Sequence, residues 1–231
     1  NALAAVGASG PVNNLLLVLF VGISTGAGIM VSQYFGARDR KLLSKAIGNT
    51  MVLTLLVGIL MTVGGVLLSR PFLELLDTPP EIVDMAADYL RIIFIGIIGF
   101  AFYNILSGIL RGLGDSFMPL VFLLVCSAMN TVLDIWFVAG LKMGVAGAAW
   151  ATILSWAVSA VLCLIKILRM RDELALNRRA FQLDGKLCKE LIFLGLPSGA
   201  TQAVFSLSML VVQSLTNSLG TDVTACNTII M

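Results

Sequence analysis

The sequence predicts an all-α integral membrane protein, a polytopic bundle with six transmembrane helices in this chain. Three observations predict it. Hydrophobic residues make up 58% of the 231 and charged residues 12%, whereas an average soluble domain has roughly 45–50% and 25%. Mean hydropathy is +0.99. Charge is also absent from long stretches: residues 1–37 and 191–221 carry no charged side chain, and 116–141 carry only Asp134. A helix that crosses a bilayer needs about 20 predominantly apolar residues.

The spans follow in order from those stretches and their punctuation by Gly, Pro and charge: about 11–33, 47–68, 89–110, 117–139, 145–167 and 190–217. The first opens after Gly10-Pro11 and closes before the basic loop 34–46. The second is closed by Arg70-Pro71. Tyr89 and Arg111 bracket the third. The turn 111–116 and the turn 140–144 delimit the fourth, and the fifth runs from there to the basic segment 168–189. The sixth is the long uncharged tail after Lys189 and Glu190.

Charge alternates from loop to loop. Twelve of the fifteen Lys and Arg residues fall on one side, at 38–45, 111 and 166–189, and only Arg70, Arg91 and Lys142 fall on the other. The positive-inside rule makes 34–46, 111–116 and 168–189 cytoplasmic and both chain ends external, and all five connections agree with the span count. In the 69–88 loop, Glu74, Asp77, Glu81, Asp84 and Asp88 surround Pro79-Pro80, and apolar residues then recur at helical spacing. That pattern predicts an external interfacial helix.

Several function classes are excluded or weakened. With no histidine, the commonest catalytic and zinc constellations are missing, so the chain reads as no enzyme. Cys126, Cys163, Cys188 and Cys226 form no C-x-x-C pair and read as small apolar residues. The net charge of +2 gives no footprint for nucleic acid. Gly112-Leu-Gly114-Asp115 has no Walker lysine after it, which argues against ATP. The chain opens on Asn1 without a signal peptide and stops at Met231 as another apolar run begins, which predicts a piece of a longer protein.

Asn1-Ala-Leu-Ala-Ala-Val-Gly7 is similar to Asp222-Val-Thr-Ala-Cys-Asn-Thr228, 221 residues on. An internal duplication of six-span units is typical of secondary transporters. A set of ordered motifs joins it: Val31-Ser-Gln-Tyr-Phe-Gly-Ala-Arg-Asp39, Tyr89-Leu-Arg-Ile92, Leu110-Arg-Gly-Leu-Gly-Asp115 before Pro119, Asn130-Thr-Val-Leu-Asp134 and Gly144-Val-Ala-Gly-Ala-Ala-Trp-Ala-Thr152. With these, nearly the whole chain resembles the multidrug and toxic compound extrusion (MATE) family. The resemblance implies twelve helices in two six-helix lobes around a central cavity, in the cell membrane, exporting organic cations and other amphiphiles in antiport with sodium ions or protons. This chain would then hold helices two to seven: 1–168 most of the N-terminal lobe, 169–189 a cytoplasmic linker, and 190–231 the start of the C-terminal lobe. Lipid-linked oligosaccharide or peptidoglycan-precursor flippases of the same superfamily share the architecture and are the alternative. They would be expected to line the cavity with several basic residues, and here no Lys or Arg is read deep inside a span.

Asp134 is the one carboxylate inside a span, and an uncompensated charge there costs several kcal/mol, so it is the first functional candidate. Asn130, four residues earlier, shares its helix face. Thr152 enters by depth, because the spans 117–139 and 145–167 form a hairpin. Asp134 and Thr152 lie about 8 Å and 10 Å from its turn at 1.5 Å per residue. A carboxylate, an amide and a hydroxyl suit an alkali cation or a proton equally. The resemblance places a cation site of the N-terminal lobe on the same Asn130, Asp134 and Thr152. A plainer role for Asp134 is pairing with Lys142 in the adjoining turn. Tyr89 and Asn104, supported by the resemblance, are candidates for substrate contact through aromatic and amide groups. Gln33, Tyr103, Ser107, Gln202, Ser206 and Gln213 are further polar positions. The 22 glycines are read as close helix packing.

Overall fold

A computed structural model describes residues 10–75, 80–172, 174–176 and 178–218. They form six long helices: α1 (Gly10–Gly36), α2 (Arg40–Leu75), α3 (Pro80–Gly112), α4 (Phe117–Asp134), α5 (Gly144–Arg169) and α6 (Gly185–Ser218). A π-helical segment, Ile135–Gly140, prolongs α4, and a short 3-10 turn, Arg178–Phe181, lies in the link before α6. No strand occurs among the described residues. Five helices, α2 to α6, are long and apolar enough to cross a membrane. α1 has 27 residues and no charged side chain, and it reaches about 40 Å at 1.5 Å per residue. The protein is therefore an all-α, multi-pass membrane protein. The terminal repeat read from the sequence lies outside the described residues.

The helices are longer than the predicted spans. Only Ala37–Asp39 separates α1 from α2. Asp39 makes the tight turn work, because its Oδ1 accepts the Lys41 and Leu42 backbone N–H groups at 3.1 and 2.9 Å, satisfying donors at the start of α2. The predicted interfacial helix in 69–88 is corrected. α2 continues through Pro71 to Leu75 and α3 begins at Pro80, where proline is well tolerated. Of the apolar residues Ile82, Val83, Met85 and Ala86 read as a membrane-surface face, Val83 and Ala86 pack instead between helices, buried with Leu73, Ala87, Leu90, Phe94 and Ile97; Met85 is exposed and the side chain of Ile82 lies outside the described residues. Glu74, Asp84 and Asp88 stay exposed and pair with Arg70 and Arg91 at 2.9–3.2 Å, contacts that contribute little to stability.

α3 is the hub, packed against α1, α2 and α5. Half of its apolar stretch is buried, against 6% for α4, which lies on α5 at the edge. Exposed Leu120, Leu123, Leu124 and Val132 make α4 a lipid-facing helix. Glycines set the closest approaches. Gly112 of α3 meets the Gly28 carbonyl of α1, and Gly26 of α1 meets Leu191 and Gly195 of α6. Backbones that touch in this way favour small residues at the seam.

Contacts gather the 37–39 turn, the 113–116 turn and the 170–184 link at one end of the bundle. Lys166 pairs with Asp115 at 3.4 Å, Ser44 Oγ donates to the Ala175 carbonyl at 2.8 Å, and the Asp184 N–H donates to Asn49 Oδ1 at 2.9 Å. Asn49 is fully buried, its Nδ2 also faces Cys188 Sγ at 3.3 Å, and the adjoining Gly48 abuts Ala180. One face of α2 thus seats the link and the start of α6. Asn49→Leu leaves the Asp184 N–H without its partner. It is expected to cost about 1–3 kcal/mol, read as a lowered melting midpoint of the purified whole protein.

Candidate functional site

Asp134 closes α4 at the point where the helix widens into the π segment. The longer-range ladder is visible in the Leu141 N–H, which donates to the Trp136 carbonyl at 2.9 Å. Single-turn π segments occur frequently at functional positions, because they break the helical register locally. The segment is braced from within and from α5. Trp136 and Phe137 rings lie 5.3 Å apart, and Gly147 sits so close to Phe137 that an added Cβ would lie 3.1 Å from it.

Asp134 is half-buried, and its Oδ1 is shut off from solvent with no hydrogen-bond partner; Asn130 Nδ2 is in the same condition. These are two of only four such side-chain atoms among the described residues. Buried polar groups are ordinarily paired, so an unpaired acid and amide one helical turn apart stand out among the described side chains. The predicted alternative of an Asp134–Lys142 pair does not form: among the described residues no salt bridge joins them. Lys142 is exposed, in the turn before α5.

Thr152 lies on α5, half-buried, with its Oγ1 donating to the Ala148 carbonyl at 2.9 Å. That bond spends the hydroxyl proton and leaves oxygen lone pairs. No hydrogen bond joins Thr152 to Asn130 or Asp134. A carboxylate oxygen without a donor and, one turn away, an amide whose O and N exchange on a half-turn have chemistry that suits a small hard cation or a proton; no contact brings the Thr152 hydroxyl to them. Among the described residues no three His, Cys, Asp or Glu side chains group to hold a metal ion.

Tyr89 is 9% exposed and packs with Ile93, Ala149 and Ile153 between α3 and α5. Asn104 is half-buried and its Nδ2 donates to the Phe100 carbonyl of its own helix at 2.9 Å. Tyr103 bonds to the Pro119 carbonyl at 3.4 Å and Ser107 faces Cys163. Gln33 is exposed, whereas Gln202 and Ser206 are half-buried; the side chain of Gln213 lies outside the described residues.

Among the described residues, two cavities flank α1. One, of about 760 Å³ and wholly apolar, lies between α1, α2 and α6 and includes Val18, Gly22, Leu53, Val57 and Leu196. The other, of about 270 Å³, lies between α1 and α3 and is lined by Ser24, Thr25, Ser32 and Arg111 among others. Ser24 is 2% exposed, its Oγ donates to the Asn104 carbonyl at 2.6 Å, and Arg111 Nη2 donates to it at 3.3 Å. The sequence places Arg111 in the inner turn; in the structure it stands on the last turn of α3 with its guanidinium directed toward the middle of α1. Sequence reasoning also missed Asn49 and the bond from Tyr34 to Glu190 at 2.8 Å. An uncharged amide within a span was the available signal for Asn49. None pointed to the long-range pairs.

A family model, MatE, matches residues 1–136. The chain is 30% identical over 97% of its length to the probable multidrug resistance protein YoeA of Bacillus subtilis (strain 168), covering 50% of that protein. It is 32% identical over 96% of its length to the probable multidrug resistance protein YpnP of the same organism, covering 49% of it. A crystal structure of MATE in complex with MaD3S superimposes with a TM-score of 0.90 at 29% identity, over 98% of this chain and 52% of that one. The chain spans about half the length of the curated relatives it matches.

Proposed function

The chain belongs to the MatE family, and from that premise we propose that the whole protein is a secondary exporter of amphiphilic small molecules, driven by the inward movement of sodium ions or protons. In this reading residues 1–168 belong to one lobe, 169–189 are the linker and 190–231 open the second lobe. The observation that carries it is the unpaired acid and amide, Asp134 and Asn130, at the head of the π segment.

The physical logic begins with Asp134. An ionised carboxylate without a donor in a low-dielectric setting is costly, so uptake of one positive charge there is favourable. Asp134 lies six residues before Gly140, at the external end of its span by the positive-inside reading, so the charge enters from outside. Asn130 and Thr152 supply the neighbouring oxygens. The neutral and ionised forms stabilise different arrangements of the helices, and a transported amphiphile that prefers one arrangement is moved as the populations exchange.

The reading is tested with the whole transporter in proteoliposomes loaded with a fluorescent amphiphilic cation. Efflux is expected under an imposed sodium or proton gradient and is expected to stop when an ionophore collapses it. Export that continues with both gradients absent, or that requires ATP, overturns the proposal.

A further inference from the structure

Among the described side chains, the polar ties of α6 to its neighbours lie at its inner end. Asn49 of α2 holds the Asp184 N–H and faces Cys188 Sγ, and Tyr34 of α1 donates its O–H to Glu190 Oε2 at 2.8 Å. Further along α6, Thr201 and Ser208 donate to carbonyls of their own helix. The rest of the α1–α6 contact is backbone against backbone at glycine, and it is tightest toward the inner end. A methyl added at Gly26 would lie 2.6 Å from the Leu191 carbonyl oxygen, one at Gly22 3.0 Å from Gly199 Cα, and one at Gly199 3.8 Å from Gly22 Cα. Apolar contact of this kind exchanges for lipid at little cost, whereas a hydrogen bond to a carboxylate does not. Glu190 has a second partner within reach. Lys186 stands one turn earlier on the same face, and with Lys189 and Phe193 the two line a cavity of about 450 Å³. Among the described residues neither lysine is in an ion pair.

We propose that the Tyr34–Glu190 bond is a latch that holds α1 and α6 together at the cytoplasmic end, and that transfer of Glu190 from Tyr34 to Lys186 releases it and admits cargo from inside. The proposal rests on the exporter reading, in which α1 belongs to one lobe and α6 opens the other, so the bond crosses between lobes. Glu190 keeps a charge-assisted partner in both arrangements, the phenol across the seam or the ammonium along its own helix. Neither arrangement therefore leaves the carboxylate bare, and the two form a discrete switch. Cargo that prefers the released arrangement shifts the population toward it. Once released, the inner ends are held only by glycine packing and by the Asn49 contacts of α2.

The test is the distance between spin labels at Gly36→Cys and Gly185→Cys, measured by double electron–electron resonance on the whole transporter in nanodiscs with its native cysteines replaced by serine. Both glycines are exposed, and a Cβ added at either meets nothing within 4 Å. With Tyr34 and Glu190 intact, the short separation is expected to dominate. Tyr34→Phe, which keeps the ring and removes the donor, is expected to raise the ratio of long to short separations about tenfold, the loss of one hydrogen bond to a charged group. Glu190→Ala is expected to do the same and the double variant no more, because both remove one bond. Lys186→Ala removes the alternative partner and is expected to keep the separation short. Unmoved distances in Tyr34→Phe and Glu190→Ala overturn the proposal, even if the melting midpoint falls, since the bond would then serve stability alone. Effects that add in the double variant overturn it as well. Wild type that exports dye while the distances stay fixed in both variants sinks the latch and spares the exporter reading. Variants that open while wild type exports nothing under either gradient sink the exporter reading and leave the fastening between α1 and α6.

Discussion

Asp134→Asn in the whole transporter is expected to abolish ion-driven export while leaving the protein folded in the membrane. The substitution keeps the shape of the side chain and removes its capacity to alternate between charged and neutral. If the driving ion acts through that alternation, the mutant has one state where the wild type has two, and export should fall by at least about a hundredfold, a population change of some 3 kcal/mol. Folding should survive, because the side chain makes no hydrogen bond or ion pair that the amide would break. The measurement is dye efflux from proteoliposomes alongside expression level and melting midpoint. A mutant that exports at the wild-type rate under the same gradient removes Asp134 from the mechanism. One that fails only because it does not accumulate in the membrane shows that the residue holds the fold. Asn130→Ala and Thr152→Ala, by contrast, keep the charge and should reduce coupling without eliminating it.

The second large effect is expected at the α1–α6 seam. A methyl added at Gly26 would lie 2.6 Å from the Leu191 carbonyl and 2.7 Å from Gly195 N; one added at Gly195 would lie 2.7 Å from the Gly22 carbonyl. These neighbours are backbone atoms of the facing helix, so the strain is relieved only by moving the helices apart. Gly26→Ala and Gly195→Ala are each expected to destabilise the protein by about 1–3 kcal/mol, with a combined loss smaller than the sum because one separation accommodates both. Gly64 is the control: a methyl added there would meet nothing within 4 Å, and Gly64→Ala should be neutral or gain up to about 1 kcal/mol from helix propensity. Thermal melts of the three purified variants separate the cases. Equal midpoints for Gly26→Ala and Gly64→Ala would show that α1 and α6 do not touch there in the membrane. The seam ends at the Tyr34–Glu190 bond, which ties the same two helices at the inner end.

Helix content and membrane class were legible because both depend on composition over windows of about twenty residues, and the charge-free stretches here are longer than that. Boundaries were less so. The residues at 80–88 have helical spacing and acids on one side whether the helix lies on the membrane or enters it. Only Leu73 and Phe94, brought alongside from α2 and from further along α3, decide that their apolar face is buried. Asp134 and Asn130 were legible because a lone acid in a span and an amide one turn away are local facts. The π segment after them was not, since Ile135–Gly140 contains no residue that rules out an ordinary α-helix.

By itself the sequence determined that this protein is a bundle of membrane helices, which loops share a side, and that Asp134 is the acid to examine. Each of these follows from the cost of placing charge or unpaired backbone in hydrocarbon, which every stretch of chain meets independently. The tertiary structure alone decided which helices touch: α1 lies between α3 and α6, Asn49 seats the link to α6, and Arg111 reaches Ser24 from 87 residues away. Lipid is as apolar as the helices, so hydrophobicity does not choose their partners. That choice is made by close backbone approach and by single polar bonds, both of which depend on the facing helix.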